Sequence, residues 1–146
     1  MKSKFIDAYM DVAERFAQLS HAKRLQVGAI IVKDDRIISI GYNGMPTGWD
    51  NCCEHTVQHH ELGTCTTVSK TEVLHAETNA IAKLAKSGES GLGATMFVTH
   101  TPCIDCAKLV YQSGITTVYY KNEYRSTQGL EFLNKSGVEV IHHRIL

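Results

Sequence analysis

Residues 94–120 read ATMFVTHTPCIDCAKLVYQSGITTVYY. Ala94 to Thr99 is a short run of apolar and β-branched residues, and Thr116 to Tyr120 is another, so both are expected strands. Between them, Cys103 to Ser113 is an expected helix stopped by Gly114. Strand, helix and strand in succession point to a sheet with helices packed on it.

The rest of the chain extends this pattern. Downstream, Gly129 to Asn134 reads as a last helix and Val138 to Ile141 as a last strand. Upstream, Leu74, Ala80, Ile81 and Leu84 lie at helical spacing between about Thr71 and Ala85, and Ser87-Gly88 closes that helix. Val27 to Val32 and Ile37 to Tyr42 are apolar runs around the acidic turn Asp34-Asp35, which predicts a β-hairpin. Phe5, Ile6, Tyr9, Val12, Ala13, Phe16 and Leu19 recur at steps of three and four, one apolar helix face from about Lys4 to Leu19. The expected order is α-β-β-α-β-α-β-α-β. It predicts an α/β fold with helices on both faces of a five-stranded mixed sheet, the hairpin antiparallel and the later strands mostly parallel. From Asn43 to about Thr71 neither period is sustained, and a structureless stretch of that length in a small domain is expected to be functional.

The 146 residues are the mass of one domain, expected over 1–146, and a chain of this size buries roughly 68–70% of its unfolded surface. Fifteen Lys and Arg balance fifteen Asp and Glu, which argues against a nucleic-acid partner, because a phosphate backbone calls for a basic surface. No apolar run approaches the roughly 20 residues of a membrane span. Met1 to Met10 mixes acid and base and lacks the apolar block of a signal peptide, so a cytoplasmic chain with reduced thiols is expected. Five cysteines, an odd count, argue against a disulfide framework, and with eight histidines they suggest metal instead.

Two motifs carry the chemistry. His75-Ala76-Glu77 opens the second expected helix and Pro102-Cys103-Ile104-Asp105-Cys106 opens the third, with 28 positions from His75 to Cys103. Cys103 and Cys106, three apart, face the same way in a first helical turn. One histidine and two cysteines leave the fourth position of tetrahedral zinc to water, the pattern of a catalytic site. Helix N-termini favour the thiolates that zinc needs. Glu77 is placed to act on that water as a proton shuttle and not as a ligand. A Cys-x-x-Cys alone also suits a redox pair or half of a structural zinc site. The order His-x-Glu, then Pro-Cys-x-x-Cys, is the signature of zinc-dependent nucleobase deaminases.

The chain resembles the deoxycytidylate (dCMP) deaminases of the cytidine deaminase superfamily. The resemblance runs from about residue 5 to 140, through Val27 to Val32, Ile40 to Gly48, His75 to Ile81, Thr101 to Leu109, Gln112 to Ile115, and Tyr124. It implies a three-layer α-β-α cytidine deaminase-like fold and hydrolysis of dCMP to dUMP and ammonia, which supplies dUMP for dTMP synthesis. Attack falls on C4 of the pyrimidine, with Glu77 protonating N3 and passing a proton to the leaving amine. A backbone group at Ala76 would fix the amino group, Asn43 would contact the nucleotide and Tyr124 would pack on the base. Asn43 would equally suit a Gly-rich turn, and Tyr124 a loop end on the surface. The phosphate needs a basic partner, for which Lys23, Arg24, Lys121 and Arg125 are candidates.

Members of this family respond to dCTP as activator and dTTP as inhibitor, commonly as hexamers with Mg2+ on the triphosphate. The resemblance places the effector site on Gly41, Tyr42, Asn43, Gly44, Pro46 and Gly48, although a tight turn after a strand would use the same residues. A second, structural zinc is a further expectation, from Cys52, Cys53, His55, His59, His60 and Cys65. His21 stands near the place where some relatives carry a cysteine before the Val-Gly-Ala strand. Two other functions fit parts of the pattern. One is deamination of another base or nucleotide (guanine, a riboflavin precursor or tRNA adenosine), and the other is a zinc-organised binding protein without chemistry. Glu77 argues against the latter, since a closed structural site has four ligands and no proton shuttle.

Overall fold

The computed structural model describes residues 1–144. Its elements are α1 (Ser3–Ala17), β1 (Gly28–Lys33), β2 (Arg36–Tyr42), β3 (Glu54–His59), β4 (Thr64–Ser69), α2 (Ala76–Ala85), β5 (Thr95–His100), α3 (Ile104–Gln112), β6 (Thr117–Asn122), α4 (Gln128–Lys135) and β7 (Glu139–His142). The main sheet has five strands in the order β2-β1-β5-β6-β7. β1 runs antiparallel to both β2 and β5, while β5, β6 and β7 are parallel. The turn between β1 and β2 holds Asp34 at φ 51° and Asp35 at φ 59°, the two left-handed residues that a two-residue hairpin requires.

Alternation along β1 and β5 sends side chains to two cores. Ile30, Val32 and Phe97 meet Met10 and Ala13 of α1 on one face. Ala29, Ile31, Met96 and Val98 meet Ala80 of α2, Val110 of α3 and Leu133 of α4 on the other. This is the expected three-layer α-β-α arrangement with a five-stranded mixed sheet. Among the described residues no helix is long and apolar enough to cross a membrane.

Two expectations need correction. Residues 43–71 are not structureless, because β3 and β4 form a separate antiparallel hairpin with His55 opposite Val68 and His59 opposite Thr64. Most of its residues are exposed on both faces, so no buried face imposes an alternating pattern on the sequence. Helix α2 starts at Ala76 and not near Thr71; Leu74, which set the expected period, instead pairs through its backbone with Gly44.

Gly41 shows how closely α2 lies on the sheet. A Cβ there would sit 2.2 Å from the Ala76 carbonyl oxygen, so only glycine admits the contact. Gly41→Ala is expected to destabilise the fold by about 1–3 kcal/mol through overpacking. Thermal unfolding should read this as a Tm lower by roughly 2–12 °C. An unchanged Tm would mean that α2 does not press on β2 as described.

Candidate active site

The two motifs meet because two helices begin side by side. His75 is the extended N-cap residue of α2, and Cys103 is the extended N-cap residue of α3. The Cys106 N–H donates to the Cys103 sulfur at 3.5 Å, so the thiol serves as the helix cap. Gly129 in the first turn of α4 presses on the segment before Cys103, and a Cβ there would lie 2.0 Å from the Pro102 carbonyl oxygen.

His75 Nδ1 lies 3.3 Å from Cys106 Sγ and 3.5 Å from Cys103 Sγ. Bond lengths of about 2.3 Å to sulfur and 2.0–2.1 Å to nitrogen in a tetrahedron imply an N···S edge of about 3.5–3.6 Å, so the donors already stand near zinc spacing. They form the only trio of potential metal ligands among the described residues, with all three atoms within 4.8 Å of one another. Hydrogen bonds from the Cys106 thiol and the His75 ring push the Cys103 thiol down to about 4. The same Cys103 contact, then burial, pushes Cys106 up. The Thr78 hydroxyl, which sequence reasoning did not single out, reaches the Cys106 sulfur at 3.6 Å.

Glu77 lies outside that trio and is 4% exposed. Burial pushes its carboxyl up to about 7 against the opposing pull of its backbone hydrogen bond and of His75. A carboxyl poised near neutrality suits proton transfer in both directions.

A cavity of about 320 Å³ opens onto the trio, at the lower end of the range for small-molecule sites. Of the expected residues, His75, Ala76, Glu77, Cys103, Asn43, Arg24 and Tyr124 line it, and so does Cys53 from the second-zinc set. Asn43 is partly committed to the scaffold: its Oδ1 accepts from the Val27 N–H at 2.8 Å and its Nδ2 donates to the Leu25 carbonyl at 2.8 Å. Tyr124 stands edge-on to His100, with Arg125 over its ring at 5.0 Å.

Other expectations separate from the cavity. Lys23 is not in its lining and offers its backbone N–H to Glu54. Lys121 pairs with Glu14 at 2.5 Å, and Arg125 lines a smaller neighbouring hollow. Gly41 is buried against α2, so it presents no surface to an effector. The residues expected for a second zinc do not converge either. Cys52, Cys53, His55, His59, His60 and Cys65 gather no ligand trio, because the hairpin spreads them along its length. Cys65 pairs with Gln58, four residues along β3 from Glu54 and remote from Cys52 and Cys53 at its base.

The base of that hairpin supplies lining that sequence reasoning missed, notably Glu54, Lys70 and Thr71. The signal lay in the β-branched run Thr64, Thr66, Thr67 and Val68 and the left-handed turn at Gly63.

Residues 3–122 match the model of the cytidine and deoxycytidylate deaminase zinc-binding region. The chain belongs to this family of zinc-dependent deaminases, and His75, Cys103 and Cys106 hold its catalytic zinc. It is 47% identical to the dCMP deaminase of cyanophage S-TIM5, solved in complex with dCMP and dUMP; the TM-score is 0.88, covering 98% of this chain and 99% of that one. It is 34% identical over 168 residues to the deoxycytidylate deaminase of Enterobacteria phage T4, with 91% of this chain and 86% of that protein covered. To the ComE operon protein 2 of Bacillus subtilis it is 38% identical over 136 residues, covering 90% of this chain and 67% of that protein.

Proposed function

We propose that this protein hydrolyses dCMP to dUMP and ammonia, supplying dUMP for dTMP synthesis. The observation that carries the reading is a buried Glu77 beside the His75, Cys103 and Cys106 trio, in a cavity that also holds Arg24 and Lys70. Zinc held by the trio supplies Lewis acidity, which brings water within reach of ionisation near neutral pH. Water oxygen adds to C4 and the C4–N4 bond breaks. Glu77 takes a proton from the water, delivers it to N3, and passes another to the departing amine. The backbone at Ala76 fixes the amino group, Tyr124 packs on the base, and Asn43 places the sugar through its free amide hydrogen. Arg24 and Lys70 have no ion-pair partner among the described residues, which suits them to a phosphate.

The finer reading is a homohexamer in the cytoplasm, activated by dCTP and inhibited by dTTP, with Mg2+ on the triphosphate. Its physical support is the link between loop and site. Gly44 and Leu74 exchange backbone hydrogen bonds at 3.0 and 2.8 Å, and Leu74 is the neighbour of His75. A ligand on Gly44, Pro46 and Gly48 thus acts one residue from a zinc ligand. A coupling of about 1–3 kcal/mol changes affinity five- to 150-fold.

Steady-state kinetics test both levels. dCMP should exceed deoxycytidine in kcat/KM by at least about tenfold, since each missing charge-assisted hydrogen bond forgoes roughly 1.5–3 kcal/mol. dCTP with Mg2+ should lower the KM for dCMP and dTTP should raise it. Equal kcat/KM for nucleoside and nucleotide contradicts a nucleotide enzyme. A rate curve unmoved by either triphosphate removes the regulation and leaves the chemistry.

A further inference from the structure

Glu54 opens β3 at the base of the β3–β4 hairpin, paired with Ser69, and is 8% exposed. Two backbone donors converge on one of its oxygens: the Lys23 N–H lies 2.7 Å from Oε1 and the Arg24 N–H 3.2 Å. The other oxygen, Oε2, has no protein hydrogen bond and no cation beside it among the described residues. It is not sealed away, because among the described residues the only fully enclosed side-chain polar atom without a partner is His143 Nδ1. Glu54 lines the cavity that contains His75, Glu77 and Cys103. A carboxylate fixed through one oxygen thus offers the other to whatever fills that cavity.

We infer that Glu54 is a specificity-determining residue whose Oε2 accepts a hydrogen bond from the sugar hydroxyl of the bound nucleotide. The inference rests on the proposed function and adds a partner for the sugar. An ionised carboxylate only accepts, so it selects a donor and repels phosphate. A dCMP-type substrate has two donors at neutral pH, the N4 amino group and the 3′-hydroxyl. The amino group is the one replaced at C4, beside the zinc ligands and Glu77. The 3′-hydroxyl remains. The double anchoring of Oε1 holds the acceptor in place before substrate arrives, so little ordering cost falls on binding.

The test pairs a protein change with a substrate change. Glu54→Gln keeps an oxygen for the Lys23 and Arg24 N–H groups but removes the charge. dCMP and its 2′,3′-dideoxy analogue differ only in the 3′-hydroxyl. The unaltered zinc-loaded protein should prefer dCMP over the analogue by about 10- to 100-fold in kcat/KM, the range for a lost hydrogen bond to a charged group. In Glu54→Gln, kcat/KM for dCMP should fall about tenfold or more while that for the analogue moves less than about threefold. Equal losses on both substrates would make Glu54 a purely structural brace and overturn the inference. So would equal kcat/KM for the two substrates in the unaltered protein, which needs no variant to fold. Failure of the unaltered protein to deaminate dCMP at all would overturn the proposed function, and this inference with it; robust dCMP turnover without 3′-hydroxyl discrimination would overturn this inference alone.

Discussion

Glu77→Gln should lower kcat for dCMP by about 100- to 10,000-fold while zinc content stays at one per chain. Glutamine matches glutamate in size, so the buried space is refilled without a cavity, and Glu77 is not among the three donor residues. What disappears is an atom able to take a proton from water and return it to the pyrimidine. Because that transfer belongs to the reaction step, kcat should carry the loss and KM should move little. Turnover within about threefold of the parent, with zinc retained, would remove the proton shuttle. A zinc-organised binding protein would then be the better description.

Cys103→Ser should abolish metal binding and activity together. A serine hydroxyl is a far weaker zinc ligand than a thiolate, and no other cysteine stands within reach of the trio to replace it. The fold should survive, since Cys103 is also the N-cap of α3 and serine is among the preferred caps. Circular dichroism should therefore remain that of the parent while zinc falls to background after dialysis. Activity should drop by more than about 100-fold, beyond the 10- to 100-fold typical of losing a group that only supports a ligand. Full zinc content and turnover in this variant would refute the ligand assignment.

The zinc ligands were legible in the sequence because their spacing is a local consequence of helix geometry. Cys103 and Cys106 share a first turn, and His75 caps the neighbouring helix. The main sheet was legible because β1 and β5 are buried on both faces, which leaves continuous apolar runs such as Ala29 to Val32. Hairpin β3–β4 was hidden for the opposite reason: Thr56, Gln58, Thr64 and Thr66 face solvent and bury nothing that a period could reveal. Glu54 and Lys70 were hidden with it, as polar residues within a stretch read as loop. Position at an element end, the one sequence signal for the four phosphate candidates, does not report what a side chain already holds. Lys121 is occupied by Glu14, and Lys23 is engaged only through its backbone N–H, so Arg24 alone of the four lines the cavity. Gly41 illustrates how one residue type serves two ends. Its place in a Gly-rich loop suggested ligand contact, yet the nearness of the Ala76 carbonyl explains it through packing.

The measurement that bears most directly on the central claim is a mass balance on dCMP with zinc-loaded protein, followed by chelation and zinc restoration. One dUMP and one ammonia should appear for each dCMP consumed, turnover should cease when zinc is stripped, and it should return when zinc is added back. Consumption of dCMP without matching ammonia, or turnover indifferent to zinc removal, would contradict hydrolytic deamination at the His75, Cys103 and Cys106 site.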